Sequence, residues 1–265
     1  MTALLTKGLA ALCRADPVVS DLVLPRLPEI TLLLDAYITE IETFNPVYGL
    51  VKVSGREELV VKHILDSLAA LGCIARLLQA PARPAAGSPP ARPAAAGPVN
   101  SPARLADAGS GAGLPGIPLA ICLPGAEVTL IERMTGRADF LRNAAAVLGL
   151  ANVAIAETEM EKAPGGYTAA VFRAFRPLEP RILKGLFRLL APGGYLAAYK
   201  GKLENIERET AWMGSSALFP AGFSPEIHRL RVPFLDEERH LVIIQEASPA
   251  TAPKIPRPCL GQAHG

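Results

Sequence analysis

The spacing of apolar residues changes near residue 104 and divides the chain into two patterns. In the first pattern, apolar residues recur three or four positions apart, as in Ile30, Leu34 and Ile38. This spacing places them on one face of a helix. We therefore predict an N-terminal helical region over residues 1–78.

Two segments have no periodic apolar face. Residues 79–103 repeat proline, alanine, arginine, glycine and serine, a composition typical of flexible linkers. Residues 248–265 return to proline, alanine and glycine. The sequence therefore predicts a flexible Pro/Ala-rich insertion after the helical region and a disordered tail at the end.

Strand-like and helix-like segments alternate between these two segments. Such alternation is typical of a parallel sheet covered by helices on both faces. The last two strands follow one another without a helix, which predicts an antiparallel hairpin at the carboxyl end. The sequence thus predicts an α/β domain over residues 104–247, with a seven-stranded, mostly parallel, Rossmann-like sheet. The predicted strands are 104–108, 127–132, 152–156, 168–173, 194–200, 223–230 and 239–246, and the predicted helices lie near 114–123, 136–148, 178–190 and 203–214.

Composition sets bounds on this picture. The 265 residues are 50% apolar, which is enough for a sizeable core. The net charge is only +2, so a nucleic-acid partner would need a local basic surface. The four cysteines are scattered without metal-binding spacing, so we expect no metal site. No apolar run approaches the roughly 20 residues that span a bilayer, and we expect a cytoplasmic protein without membrane contact.

A glycine-rich loop carries the first chemical signal. Asp107 ends the first predicted strand, and Gly109, Gly111 and Gly113 follow it at alternate positions. Glycines permit backbone conformations that other residues avoid, and they let a ligand approach the main chain closely. A helix beginning near Leu114 would direct its unpaired N–H groups at the same place. The loop therefore predicts a nucleotide-type cofactor site.

The second signal is acidic. Glu132 ends the next predicted strand, where a carboxylate can hold the ribose of a cofactor. The glycines and Glu132 leave two cofactors open, a dinucleotide and S-adenosylmethionine. A hydride-transfer enzyme would normally add a second substrate domain, and the carboxyl-terminal hairpin leaves little room for one.

Four segments carry a resemblance to a known family: HILDSL at 63–68, DAGSGAGLPGIPLAI at 107–121, FRAFRPL at 172–178 and ERHLVII at 238–244. With them, the chain resembles the bacterial RsmG (GidB) methyltransferases. That family uses S-adenosyl-L-methionine to methylate N7 of a guanine in small-subunit ribosomal RNA. The resemblance implies a class I S-adenosylmethionine-dependent methyltransferase fold, that cofactor, and 16S ribosomal RNA or the small ribosomal subunit as partner.

The resemblance also implies roles for particular residues. Gly109 and Leu114 would contact the cofactor in the glycine loop, and Met160 with Glu161 would flank its adenine end. Arg173 would complete the site. Arg173 ends an apolar strand, and open parallel sheets bind ligands at such strand ends, so its position agrees with this role. The alternative for Arg173 is a strand cap whose charged head lies in water.

The catalytic residue stays open, with Asp66, His63 and Lys200 as candidates. N7 of guanine has an in-plane lone pair and no proton, so methyl transfer to it needs no general base. Asp66 would help electrostatically as positive charge moves onto the purine. His63 and Asp66 lie three positions apart and either face the ligand edge or form a buried, hydrogen-bonded pair. Lys200 ends a strand at the same edge.

Contacts with RNA would involve basic and aromatic side chains. Arg239 and His240 either meet RNA or join their strand to its neighbour, and the second role is favoured for His240. Phe175 and Tyr48 are candidates for stacking on bases. The basic candidates are Arg173, Arg176, Arg181, Lys184, Arg188, Lys52, Arg56 and Lys62.

Two segments depart from the pattern of the family. Gly49, Leu50 and Val51 stand where relatives usually have Asn-Leu-Thr, and Glu159 stands where many have arginine. The favoured function is guanine-N7 methylation of 16S ribosomal RNA by a monomer. The alternatives are a methyltransferase for another RNA or a small molecule, and a non-catalytic ribosome-associated protein that binds the cofactor.

Overall fold

The computed structural model describes residues 2–80, 102–173, 177–219 and 223–245. Most of the predicted insertion and all of the predicted tail lie outside these residues, as do Phe175 and Arg176.

Helices and the short connections between them, such as residues 49–55, make up the described part of the chain before the sheet. The 22-residue helix α3 buries Ile30, Leu34 and Ile38, as their spacing predicts. Helices α4 and α5 are joined by one π-helical stretch, Val60–Leu65. The helices are α1 (Thr2–Ala15), α2 (Pro17–Val23), α3 (Leu27–Tyr48), α4 (Arg56–Leu59), α5 (Asp66–Leu68), α6 (Leu71–Gln79), α7 (Gly116–Cys122), α8 (Thr135–Val147), α9 (Pro180–Phe187) and α10 (Leu203–Thr210).

The sheet has seven strands in the order β3-β2-β1-β4-β5-β7-β6. The first five strands run parallel, and β7 lies antiparallel to both β5 and β6. This confirms the predicted fold and its terminal hairpin. The strands are β1 (Arg104–Ala108), β2 (Glu127–Glu132), β3 (Val153–Glu157), β4 (Tyr167–Arg173), β5 (Leu190–Lys200), β6 (Glu226–Leu230) and β7 (Arg239–Gln245).

Several element limits differ from the prediction, and the largest differences are at β5, α9, β6 and α10, which ends at Thr210 instead of 214. Strand β5 begins at Leu190 instead of 194, because Leu190 pairs with Tyr167 before an irregularity in the ladder. Helix α9 therefore ends earlier, at Phe187. Strand β6 begins at Glu226 instead of 223, directly after Pro225, which has no N–H to donate to a ladder.

The N-terminal helices cover one face of the sheet. Their apolar side chains join those of β1 and β4 in one core, which includes Ile64, Leu105 and Val171. The opposite face packs against α9 and α10 in a second apolar cluster. Tyr37 is fully buried on α3 and donates its hydroxyl hydrogen bond to the carbonyl of Ala112 in the glycine loop. The N-terminal helices therefore help to position that loop.

Helix α3 ends at a left-handed residue, Gly49, whose φ is 57°. The Gly49 N–H donates to the carbonyl of Asn45 at 2.9 Å, and the Asn45 side chain accepts from Val51 N at 2.9 Å. Glycine and asparagine are the two residues that commonly end helices in this conformation. Gly49 therefore preserves the turn at a position where asparagine also fits.

We expect Gly49→Ala to lower the free energy of unfolding by about 1 kcal/mol, because alanine resists the left-handed conformation. A Cβ at this position meets nothing within 4 Å, so the loss of stability would report the backbone conformation alone. Gly49→Asn is the matched control and should cost less than half as much. Urea unfolding of the three proteins measures this, and equal losses in both variants would contradict it.

Candidate active site

The glycine loop adopts the conformations that its sequence predicts. Gly109, Gly111 and Gly113 have φ values of 71°, 58° and 86°. A Cβ on Gly113 would also lie 2.6 Å from Ile117 Cδ1. Side chains at these positions would strain or displace the loop.

The carboxylate of Asp107 holds this loop in place through two hydrogen bonds. Its Oδ2 accepts hydrogen bonds from Ser110 Oγ at 2.7 Å and from Gly116 N at 2.9 Å. The expectation that a helix near Leu114 directs free N–H groups at a ligand was wrong. Helix α7 begins at Gly116, and its first N–H is already bonded to Asp107.

Glu132 joins the ends of two loops at the carboxyl edge of β2. It is 5% exposed, and its two oxygens accept from Gly111 N and Met134 N, each at 2.9 Å. These bonds fix the orientation of the carboxylate. Each oxygen retains a lone pair for a further donor, such as a sugar hydroxyl.

A first cavity of about 540 Å³ opens at this edge of the sheet. Five of the residues predicted to bind a cofactor line it: Gly109, Glu132, Met160, Glu161 and Arg173. The other four, Asp107, Gly111, Gly113 and Leu114, belong to the loop and do not line it. The volume is within the range of roughly 300–1,000 Å³ that is usual for small-molecule sites.

The prediction from the sequence missed other residues of the first cavity. Ile131, Met134, Arg137 and Thr158 line it as well. Thr158 directly follows β3, so the rule that ligands bind at the carboxyl ends of parallel strands would have found it.

A second cavity of about 320 Å³ lies beside the first. The three catalytic candidates Asp66, His63 and Lys200 all line it. Arg173 lines both cavities. Tyr199 also lines the second cavity, and its hydroxyl donates to the Ser67 carbonyl at 2.8 Å, a contact that the sequence does not predict.

The guanidinium of Arg173 forms the wall between the two cavities. Its Nη1 donates to Asp66 Oδ2 at 3.0 Å and to the Lys62 carbonyl at 3.2 Å. Its Nη2 lies 2.9 Å from His63 Nδ1. Arg173 is therefore bonded inside the protein and is not a strand cap in water. His63 pairs with Arg173 and not with Asp66.

Asp66 is shared by two arginines. Arg239 Nε lies 3.3 Å from Asp66 Oδ1, on the side opposite Arg173. Burial raises the pKa of Asp66, while the charges of Arg173 and Arg239 pull that pKa down. Because both oxygens face guanidinium groups, Asp66 is better placed to orient the two arginines than to offset charge on a substrate.

His63 is held in its neutral form. Burial lowers its pKa to about 4, and the positive charge of Arg173 adds to the effect. A neutral ring can accept the hydrogen bond from Arg173 at Nδ1. His63 lies on the π-helical stretch, and such irregular turns are common at functional sites.

Two further polar side chains are fixed at the rim of the second cavity. Lys200 Nζ donates to Glu209 Oε2 at 2.6 Å. His240 Nδ1 lies 2.6 Å from the Gly201 carbonyl, which joins β7 to the segment after β5, as favoured for His240.

Several of the basic side chains predicted to contact RNA have partners within the protein, so only part of that basic surface is available to RNA. Arg56 is paired with Asp35 and Glu42, and Lys62 with Glu58 and Glu237. Arg188 donates to the Glu161 carbonyl, and Arg181 lines the first cavity. Tyr48, a candidate for base stacking, packs on Phe44 with ring centroids 6.1 Å apart. Glu159, one of the two departures, pairs with Lys162 at the rim of the first cavity.

Comparison with known proteins assigns the chain to a family. A family model described as GidB, rRNA small subunit methyltransferase G, matches residues 95–224. The ribosomal RNA small subunit methyltransferase G of Treponema denticola is 39% identical over 222 residues, which are 81% of this chain and 85% of that protein. The chain belongs to the rRNA small subunit methyltransferase G family. The protein of the same name from Treponema pallidum strain Nichols is 38% identical over 233 residues, 85% of this chain and 89% of that one.

Among solved structures, a SAM-dependent O-methyltransferase from Thermotoga maritima is similar over 58% of this chain and 63% of that chain, with 16% identity and a TM-score of 0.41.

S-adenosylmethionine is the cofactor of this methyltransferase family, and the first cavity suits it. Glu132 would accept hydrogen bonds from ribose hydroxyls at its carboxylate oxygens. Ile131, Met160 and Ile182 would present apolar surface to the adenine ring. Gly109 would let the main chain approach the ligand closely.

Replacement of Arg173 by lysine tests the wall between the cavities. Lysine keeps the charge but lacks the planar fork that reaches Lys62, His63 and Asp66 together. We expect the free energy of unfolding to fall by about 2 kcal/mol. We expect calorimetric titration to show about tenfold weaker S-adenosylmethionine binding. Arg142→Lys, at an exposed ion pair on α8, is the control and should change neither quantity.

The lowered pKa of His63 predicts a pH dependence of stability. Folding favours the neutral ring, so this stabilisation is complete above the ordinary pKa of 6.5 and is lost as the pH falls towards 4. His63→Asn keeps an acceptor for Arg173 and cannot take up the proton. We expect the urea midpoint of the parent protein to fall more steeply than that of the variant between pH 7 and pH 4.5. Parallel pH profiles would contradict this account.

Proposed function

We propose that the chain transfers the methyl group of S-adenosylmethionine to N7 of a guanine in 16S ribosomal RNA. The observation that carries this proposal is the shared wall: Arg173 lines both cavities. A cofactor in the first cavity and a base in the second would meet at this residue. Membership of the rRNA small subunit methyltransferase G family supports ribosomal RNA as the substrate.

The second cavity suits the N7 edge of guanine. That edge presents two acceptors, N7 and O6. The cavity is lined by four cationic side chains, Lys62, Arg173, Lys200 and Arg239, and by one carboxylate, Asp66. Each of these cations is ion-paired, but lysine has three N–H donors and arginine five, so N–H groups remain for an acceptor edge.

The reaction needs positioning more than proton transfer. Bound S-adenosylmethionine supplies an electrophilic methyl group on a sulfonium. The lone pair of N7 would bond to the methyl carbon as the carbon–sulfur bond breaks and S-adenosylhomocysteine leaves; N7 releases no proton, so the chain needs no general base. This agrees with a neutral His63 whose Nδ1 is directed at Arg173. The contribution of the chain is to hold the base in line and to exclude water.

The target guanine must leave its RNA context to enter the cavity. The cost of unstacking is a few kcal/mol and is lowest for a base that is already unpaired. We propose a cytoplasmic monomer that acts on 16S ribosomal RNA or on the small ribosomal subunit. None of the helices in the described part of the chain has the length and apolar character needed to cross a membrane.

Mapping of N7-methylguanosine in 16S ribosomal RNA tests the function. We expect one site to lose its methyl group when the gene is deleted and to regain it with the parent gene or the Arg142→Lys gene. Purified protein and S-adenosylmethionine should restore the same site on small subunits from the deletion strain. Full methylation of that site after deletion would overturn the proposal.

A further inference from the structure

The turn between the last two strands forms part of the rim of the second cavity. Residues 231–238 connect Leu230 to Arg239, and both of these residues line the cavity. Glu237 on the turn pairs with Arg239 at 2.8 Å and with Lys62 at 3.4 Å. These contacts hold the turn against the opening.

One aromatic ring is directed outward from this turn. Val232 is 6% exposed, and Leu235 packs against the core and donates its N–H to the Val232 carbonyl at 3.2 Å. Phe234 lies between these two anchors and is 56% exposed. In the part of the chain that the structure describes, no other aromatic residue is as exposed.

The backbone at Phe234 is strained as well. Its φ is 66°, and it is the one residue other than glycine with a positive φ among those described. Glycine or asparagine would adopt this conformation at lower cost. The exposed ring does not offset that cost by burial. Strain without a packing benefit is characteristic of functional positions.

Charged residues lie near Phe234 on this hairpin, which disfavours an apolar protein surface as its partner. Arg229 and Arg231 are exposed on the same hairpin, and neither has an ion pair within the described residues. Two acids of the turn, Asp236 and Glu238, are also without an ion pair there, whereas Glu237 is neutralised by its two partners. The hairpin therefore presents an aromatic face with two unpaired arginines on the β6 side of Phe234, and these suit the phosphates of a nucleic acid.

We propose that Phe234 stacks on an unpaired ribosomal RNA base next to the guanine that enters the second cavity. This rests on the proposed function and adds a recognition residue to it. Stacking holds the neighbouring nucleotide while the target base is outside its helix. Phe234 thus acts on RNA binding and not on the cofactor.

Two substitutions at Phe234 separate stacking from structure. Phe234→Asn removes the ring and suits the left-handed backbone, so its urea midpoint should equal or exceed that of the parent protein. Phe234→Trp keeps an aromatic face. Val47→Ala removes an exposed apolar side chain on α3 and serves as a control. The measurements are the affinity for unmethylated small subunits and the methyl-transfer rate at subsaturating subunits with saturating S-adenosylmethionine.

We expect Phe234→Asn to lower both quantities about tenfold and to leave S-adenosylmethionine affinity unchanged. Phe234→Trp and Val47→Ala should stay within about twofold of the parent protein. Equal activity of the parent protein and Phe234→Asn would overturn the stacking role, and so would equal losses in the asparagine and tryptophan variants. Failure of the parent protein itself to bind or methylate subunits would instead overturn the proposed function.

Discussion

The two cavities are arranged around the partly buried guanidinium of Arg173. A buried charge is costly unless it is paired and hydrogen-bonded. Arg173 ends β4, and all of its described partners, Lys62, His63 and Asp66, come from the helical stretch that leads into α5. Asp66 in turn meets Arg239 at the start of β7. One carboxylate therefore joins an N-terminal helix to two strands of the sheet, and it fixes the walls of both cavities.

The order of the strands explains why there are two cavities and why they share one wall. Ligands of open α/β sheets bind at the carboxyl ends of the parallel strands. Strand β4 lies between β1 and β5. On the β1 side, Gly109 and Glu132 follow or end their strands and line the first cavity. On the β5 side, Lys200 and Arg239 line the second. Arg173, at the end of β4, lies where the two meet.

Much of the fold follows from local sequence. The limits of β1 and β2 match the apolar runs, and the hairpin follows from two strands without a helix between them. The placement of Arg173 at a strand end was also predictable. Its partners were not, because they lie more than 100 residues away in the chain and only packing brings them together.

Helix α7 starts late because Asp107 bonds its first N–H, a contact across the loop. The conformation of Phe234 has no local signal, since phenylalanine is not a residue that favours left-handed turns.

The proposed function requires Arg173 to separate a cofactor cavity from a base cavity. A crystal structure of the chain with S-adenosylhomocysteine tests this arrangement. We expect the ligand among Gly109, Glu132 and Met160, with its sulfur end towards Arg173 and the second cavity open beyond. A ligand whose sulfur end is directed away from Arg173, or one that occupies the second cavity, would rule the arrangement out.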